Sequence, residues 1–254
     1  MLVKTMLETF LNIEVTGMDL IPPEGGGIIV CNHTDLMDVP IQAVYSPRKL
    51  IYLGKVELFE PDREIKQWLF KEGSPLNLPG LSLFKGVIEK GLEAYSFAQK
   101  TQLLEWGGHP VVRNFKGEGA REAVEYYQEL EKFMVDLLKQ GNFLSIYPEG
   151  TRSETGLMGP FKHLTAKLAI RAQVPIVPSG IGGAFQLLTP ASILSGRFFK
   201  STVRYNVGQP VYPKDFPPGD EKRSAKELTA FLEKQVYALS MHQERRQKTR
   251  ARVL

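Results

Sequence analysis

Residues 25–38 read GGGIIVCNHTDLMD, and this stretch decides the fold class. Three glycines lead into the apolar run Ile28–Cys31, which is typical of a buried strand. Polar residues follow at once, and residues 38–45 then predict a helix with Pro40 in its first turn. A buried strand that passes directly into a helix is the repeating unit of an α/β fold.

The alternation of strands and helices continues outward from this stretch. Further strands are predicted at Leu50–Leu53, Pro110–Arg113, Phe143–Tyr147, Val174–Ile181 and Thr202–Val207, the last with the alternation of an edge strand. Further helices are predicted over residues 64–70, 87–106, 123–138, 166–172 and 224–240. We therefore predict an α/β fold with a central mixed sheet flanked by helices. It forms a single domain with an insertion at residues 57–109, whose structure the pattern does not define.

The composition excludes several classes of protein. Of the 254 residues, 43% are hydrophobic and 24% are charged, which excludes wholesale disorder. The single cysteine, Cys31, excludes a disulfide framework and a four-cysteine zinc site. The net charge of +4 favours anionic partners: nucleic acid, phosphate metabolites or anionic lipid. No apolar run reaches the roughly 18 residues that span a bilayer. Glu8 and Asn12 interrupt any signal peptide, so we expect a cytoplasmic protein, soluble or peripherally attached.

Both ends of the sequence have an amphipathic pattern. Residues 1–12 predict an N-terminal helix that either packs on the domain or lies on a membrane surface. Residues 216–254 predict a C-terminal helix and a basic tail. Such a tail is usually a solvated end, and a lipid-surface role is the alternative. Without aromatic stacking positions it is a poor platform for nucleic acid, so we predict no nucleic-acid partner.

The segment Asn32–Asp38 holds the first candidate chemical groups. On a continuous helix His33 and Asp38 would point about 140° apart, so they meet only if the chain turns between strand and helix. Asp38 would then accept a hydrogen bond from one imidazole nitrogen and leave the other as a base. The alternative is a capped helix beside an ordinary histidine. A metal site that includes Asp35 lacks a second histidine nearby, so we predict no metal.

A second polar cluster, YPEGTRS at residues 147–153, follows another predicted strand. Gly150 lets the backbone approach a ligand closely, and Arg152 offers a planar fork that suits a phosphate. The alternative is a polar turn with a surface ion pair. The arrangement of Glu, Gly, Thr and Arg directly after an apolar strand favours ligand binding.

Together the two clusters resemble the motifs of the glycerolipid acyltransferase family, and in particular of the 1-acylglycerol-3-phosphate acyltransferases. Asn-His-x4-Asp stands at residues 32–38 and Pro-Glu-Gly-Thr-Arg-Ser at residues 148–153. Val-Pro-Ile-Val-Pro at residues 174–178 resembles a later family segment, and Pro-Val-Val-Arg at residues 110–113 resembles its central arginine motif. The resemblance therefore predicts an acyltransferase domain over residues 13–215.

The resemblance implies a reaction and a set of roles. A fatty acyl group would move from acyl-CoA or acyl-carrier protein to the free hydroxyl of 1-acylglycerol 3-phosphate (lysophosphatidic acid), giving phosphatidic acid. His33 would be the general base and Asp38 its orienting partner, and no cofactor is expected. The substrate-binding residues would be Arg113, Glu149, Gly150, Thr151 and Arg152. An anionic membrane surface is a further expected partner, with the enzyme peripheral at the inner face of a membrane.

Two alternatives remain open beside this interpretation. One is an acyltransferase for glycerol 3-phosphate or another lysophospholipid, and the other is a non-catalytic, lipid-binding relative. The sequence also departs from the family pattern, with Asp35 where Ser or Thr is common and Tyr147 where Phe is usual. The segment between Glu57 and His109 is longer than the family pattern, and the N-terminal hydrophobic region is shorter than in the membrane-spanning members of the family. These departures leave both proposed catalytic groups in place and bear on the acyl donor and on membrane attachment.

Overall fold

The computed structural model describes residues 2–71, 74, 85–112, 119–216 and 220–240. They divide into two compact units, one made of residues 1–50 and 127–254 and the other of residues 51–126. Arg113 and the basic tail lie outside the described residues.

The elements of secondary structure alternate along the chain. The strands are Asn12–Thr16 (β1), Gly27–Val30 (β2), Leu50–Lys55 (β3), Gly108–Val111 (β4), Phe143–Ile146 (β5), Ile176–Gly182 (β6) and Thr202–Val207 (β7). The α-helices are Leu2–Phe10 (α1), Asp38–Tyr45 (α2), Pro61–Leu69 (α3), Lys85–Glu105 (α4), Ala120–Lys139 (α5), Leu164–Ala172 (α6), Pro190–Leu194 (α7), Arg197–Lys200 (α8) and Glu221–Leu239 (α9). Among the helices of the described residues, none has both the length and the apolar character needed to cross a bilayer.

The first unit contains a mixed sheet with the strand order β1-β7-β6-β2-β5. Only the β6–β7 pair is antiparallel among the strand pairs described for this unit; the others are parallel. Helix α9 packs on β6, and α6 contacts both β2 and α9. The predicted α/β class, with a mixed sheet and flanking helices, is confirmed. In the second unit β3 pairs in parallel with β4, and α3 contacts α4.

Strand β2 is the centre of the first unit's sheet. It lies between β5 and β6, and the side chains of Ile28, Ile29 and Val30 are fully buried. The glycines before it permit close packing, since a Cβ atom on Gly26 would lie 1.9 Å from the carbonyl oxygen of Leu138. The apolar run of the sequence therefore forms a central strand, and the position just before it has no room for a residue larger than glycine.

One sequence expectation needs revision, and one strand was not predicted. The interpretation of Thr202–Val207 as an edge strand is wrong, because β7 lies between β1 and β6. The edge position belongs to β1, a strand that the sequence did not predict. Helix α1 contacts β1 and α2; Leu7 on this helix and Leu11 just after it are buried, whereas Met6 and Phe10 are exposed.

Candidate active site

Two loops that are far apart in sequence meet at one edge of the sheet. Strands β2 and β5 are parallel neighbours, and their last residues, Val30 and Ile146, are register partners. The loop with His33 and the loop with Glu149 and Arg152 therefore leave the sheet side by side. In parallel α/β sheets, the carboxyl ends of neighbouring strands are where ligands bind.

The side chains of His33 and Asp38 are hydrogen-bonded. The distance from Nδ1 of His33 to Oδ2 of Asp38 is 2.9 Å, and the Asp38 side chain is fully buried. Oδ2 also accepts the backbone N–H groups of Thr34 at 2.6 Å and Asp35 at 2.9 Å. The chain thus turns around the carboxylate before α2 begins, which is the turn that the spacing of His33 and Asp38 requires.

The imidazole of His33 is fixed by more than this bond. Its ring stacks on the ring of Tyr147 with centroids 4.1 Å apart and planes inclined by 20°. Because Nδ1 binds Asp38, the other ring nitrogen, Nε2, points away from the carboxylate. Within the described part of the chain, Nε2 makes no hydrogen bond. A neutral imidazole held in this way has Nε2 available to accept a proton.

Glu149 binds the backbone of the two loops. Its Oε1 accepts the N–H of His33 at 2.7 Å, and its Oε2 accepts the N–H of Gly159 at 2.6 Å. Burial raises the pKa of the Glu149 carboxyl to about 7 from its usual 4.5, and these two N–H groups offset only part of that effect. The negative charge of Asp38 raises it further. Both oxygens are thus engaged by backbone, and Glu149 acts on the position of His33.

A second backbone contact holds His33 from its other side. The N–H of Ser153 donates to the carbonyl of His33 at 2.8 Å. The N–H and C=O of His33 are therefore both bonded to the segment 149–153. Sequence reasoning missed this arrangement, because it depends on the register of β2 against β5.

Asn32 is part of the same construction. Its Nδ2 donates to the carbonyl of Ile181 at 2.9 Å, and its Oδ1 accepts the N–H of Ile181 at 2.8 Å. Asn32 is fully buried and fastens the end of β2 to β6. The asparagine of the Asn-His-x4-Asp motif is thus a structural clamp beside the histidine.

An open cavity of about 510 Å³ lies beside these loops. Its lining includes Thr34, Asp35 and Leu36 from the first loop, Thr151 and Arg152 from the second, and Phe185 and Leu188 from the segment after β6. The Arg152 side chain is exposed, and within the described residues it has no hydrogen bond or ion pair. An unpaired guanidinium on the wall of a cavity can bind an anionic group of a ligand.

Gly150 sits at the turn between Glu149 and Arg152. Its φ of +78° favours glycine, and a Cβ atom there would lie 2.6 Å from Nζ of Lys162. Glycine thus allows the lysine side chain to cross the turn, which brings a second cation next to this loop. Sequence reasoning had no signal for that proximity beyond the presence of Lys162.

Cys31 contributes to the core rather than to chemistry. It is fully buried, and burial together with the nearby Asp38 carboxylate raises the pKa of its thiol far above the ordinary value. Among the described residues, no group of three His, Cys, Asp or Glu side chains is arranged to hold a metal ion.

Comparison with known proteins assigns the chain to a family. The profile of the family described as Acyltransferase matches residues 12–74 and 88–182, which is more than half of the chain. The chain belongs to the acyltransferase family. The profile includes both loops of the site and ends with β6, so the acyltransferase match and the first unit's sheet coincide over the strands that position His33.

Relatives of this acyltransferase are named 1-acyl-sn-glycerol-3-phosphate acyltransferases. The protein of that name from Bacillus subtilis is 23% identical over 93% of this chain and 92% of its own length. The human alpha enzyme is 26% identical over 66% of this chain, and the chloroplastic BAT2 enzyme of Brassica napus is 33% identical over 32% of it. These matches span only 44% of the human protein and 23% of the plant protein.

A solved structure has the same fold. The crystal structure of the 1-acyl-sn-glycerophosphate (LPA) acyltransferase PlsC from Thermotoga maritima superposes with a TM-score of 0.53 at 20% identity. The match covers 93% of this chain and 74% of that one. At this identity the likeness supports the fold of the acyltransferase.

Proposed function

We propose that this acyltransferase moves a fatty acyl group from an acyl thioester to the free hydroxyl of 1-acylglycerol 3-phosphate, which gives phosphatidic acid. The observation that carries the proposal is the 2.9 Å bond between Nδ1 of His33 and Oδ2 of the buried Asp38, beside a cavity lined by Arg152. The names of the relatives favour this acceptor over glycerol 3-phosphate.

The proposed chemical step is a proton transfer coupled to attack on the thioester. Nε2 of His33 takes the proton of the acceptor hydroxyl as its oxygen attacks the thioester carbonyl carbon. The tetrahedral intermediate then expels the thiolate, which leaves as a thiol with the proton from His33. A well-placed general base contributes roughly 10²–10⁴-fold to the rate. Asp38 holds the tautomer that exposes Nε2 and stabilises the imidazolium.

The phosphate of the acceptor would be held by arginine. Arg152 is exposed on the cavity wall, which suits bidentate binding of phosphate oxygens. Arg113 is proposed as a second phosphate ligand on the resemblance alone. Gly150 and Thr151 shape the turn that carries Arg152. Fixing the phosphate at a set distance from His33 places the hydroxyl for attack, which is a gain in proximity.

Glu149 has a different role in this proposal from that of a substrate ligand. Its two oxygens accept the N–H groups of His33 and Gly159, so it is a positioning residue for the base. The acyl donor is proposed to be acyl-CoA or acyl-carrier protein, with no further cofactor. Because the acceptor is a lipid, we place the enzyme at the inner face of a membrane, as a peripheral protein of the cytoplasm.

The test is a transfer assay with purified protein, labelled acyl thioester and a panel of acceptors. His33→Ala should abolish formation of phosphatidic acid while the circular dichroism spectrum stays unchanged. His163→Ala replaces an exposed histidine outside the two loops and serves as the matched control. Near-normal turnover by the His33 variant would end this mechanism. Turnover of glycerol 3-phosphate in preference to lysophosphatidic acid would move the assignment to the alternative acceptor.

A further inference from the structure

The first unit has an exposed apolar surface that its core does not explain. Six large hydrophobic side chains on α1, on α7, on α8 and just before α7 are at least 40% exposed. We call them the docking surface: Met6, Phe10, Leu188, Ile193, Leu194 and Phe199. Leu194 is the most exposed of them, at 88%. Soluble proteins rarely leave such side chains grouped in water without a partner.

The docking surface is continuous from one part of the chain to another. The rings of Phe10 and Phe199 are in edge contact, with centroids 6.2 Å apart, so α1 and α8 contribute to one surface. Helices α7 and α8 contact each other. Residues far apart in sequence thus form one apolar region.

This surface reaches the cavity of the candidate active site. Leu188 belongs to the docking surface and also lines the cavity. Leu36, which is 55% exposed, lies on the same cavity wall between Asp35 and the buried Met37. An alkyl chain on the docking surface would therefore have an apolar path to the loop that holds His33.

The charges of this region identify the partner. Residues 155–214 contain no aspartate or glutamate, although the chain has 28 of them, and they include seven arginines and lysines. Two of the seven, Arg197 and Lys200, stand on α8 beside Phe199. On α1, between Met6 and Phe10, the half-exposed Glu8 lies 3.8 Å from Lys4. A surface that combines exposed Leu, Ile and Phe with the cations of α8, in a segment without carboxylates, matches the interface of an anionic bilayer. It would repel a basic partner, and its large apolar side chains exceed what a soluble anion needs.

We propose that the docking surface binds the face of an anionic phospholipid bilayer and that its cavity-side end, at Leu188 and Leu36, admits the acyl chain of the lipid acceptor. The second part rests on the proposed function, whereas the binding itself does not. Leu194, Ile193 and Phe199 enter the acyl region of the interface, and Arg197 and Lys200 remain among the phosphate groups.

Vesicle co-sedimentation of the full chain tests the binding. The vesicles contain phosphatidylcholine and phosphatidylglycerol in equal parts, with pure phosphatidylcholine for comparison. We expect the wild-type protein to sediment with the anionic vesicles and to be released by salt. Leu194→Ser with Phe199→Ser should lower the partition coefficient about tenfold or more, and Lys200→Glu severalfold on anionic vesicles only. Leu194→Ser alone changes the most exposed position of the surface and leaves the aromatic contact between Phe199 and Phe10 intact, so it repeats the test without disturbing that contact.

A matched control is Phe97→Ser, which removes an exposed aromatic residue from α4 in the second unit. Its sedimentation should equal that of the wild type. Equal loss in this control, or unchanged sedimentation of both Leu194 variants, would overturn the assignment of the surface. A dimer that Leu194→Ser dissociates, with vesicle binding intact, would instead assign the surface to a second copy of the chain and would also overturn it.

The two proposals fail in different ways. Wild-type protein that does not bind vesicles but acylates a short-chain, monodisperse lysophosphatidic acid would overturn the assignment of the docking surface and support the proposed function. Wild-type protein that binds anionic vesicles through Leu194 but acylates no acceptor would support the docking surface and overturn the proposed function.

Discussion

The carboxylate of Glu149 accepts the backbone N–H of His33 at 2.7 Å. This bond joins the two loops of the candidate site across 116 positions of sequence. The same carboxylate binds the N–H of Gly159, so it fixes the end of β2, the turn after β5 and the chain beyond that turn. The position of the proposed base therefore depends on a buried acid whose pKa is about 7.

The raised pKa of Glu149 makes its contribution to stability depend on pH. The folded protein holds this proton more tightly than the unfolded chain does. The stabilisation is therefore complete below the ordinary carboxyl pKa of 4.5 and is lost as pH rises through about 7. Relative to Glu149→Gln, which has no proton to lose, the wild-type free energy of unfolding should decrease between about pH 5 and pH 8. Urea unfolding at a series of pH values measures this difference.

Glu154→Gln supplies the control for that titration. Glu154 is an exposed glutamate in the same loop region. The decrease in unfolding free energy between about pH 5 and pH 8 should persist in this variant, because Glu149 is unchanged. A difference between the wild type and Glu149→Gln that stays flat over this range would contradict the assigned pKa.

The sequence predicted the elements whose pattern is set locally. The run Ile28–Cys31 is apolar because β2 is buried on both faces, and the break to polar residues marks where it ends. Prediction from the sequence failed where one pattern is compatible with two structures. The alternation of Thr202–Val207 fits an edge strand, but it also fits β7, an internal strand whose neighbour β1 is short and half exposed.

The candidate site shows the same division. The spacing of His33 and Asp38 together with a turn predicted that the two side chains meet, and they lie 2.9 Å apart. The bonds of Asn32 to Ile181 and of Glu149 to His33 join residues more than 100 positions apart. Such contacts depend on strand order and register, which a single sequence does not specify. The sequence therefore identified the loops but not the bonds that hold them.

Asp38→Asn should lower kcat by roughly 10²–10⁴-fold and leave the acceptor KM nearly unchanged. An asparagine that keeps its oxygen toward the N–H groups of Thr34 and Asp35 can still accept from Nδ1, but it cannot stabilise the imidazolium. Steady-state kinetics with varied acceptor measures both constants. Asp19→Asn, an exposed aspartate elsewhere in the first unit, should behave as the wild type. Retention of wild-type kcat in Asp38→Asn would remove Asp38 from the mechanism.

Arg152→Ala should act on acceptor binding. The expected increase in KM is about 10- to 100-fold, since a hydrogen bond to a charged group contributes about 1.5–3 kcal/mol. The KM of Arg152→Lys should lie between those of the wild type and of Arg152→Ala, because a lysine keeps the charge and loses the planar fork. Arg63→Ala, at an exposed arginine of the second unit, is the control for a general loss of positive charge. An unchanged KM with a reduced kcat would show that Arg152 does not hold the phosphate.

Asn32→Ala should destabilise the fold rather than alter a chemical step directly. The substitution leaves both the N–H and the C=O of Ile181 without their buried partner, and each such group costs about 1–3 kcal/mol. We therefore expect a loss of about 2–5 kcal/mol in the free energy of unfolding, measured by urea denaturation. Asn12→Ala breaks one exposed bond to Thr202 and should cost below about 1 kcal/mol. If Asn32→Ala were as stable as Asn12→Ala, the clamp between β2 and β6 would carry no stability, and the asparagine of the motif would need a role in the reaction itself.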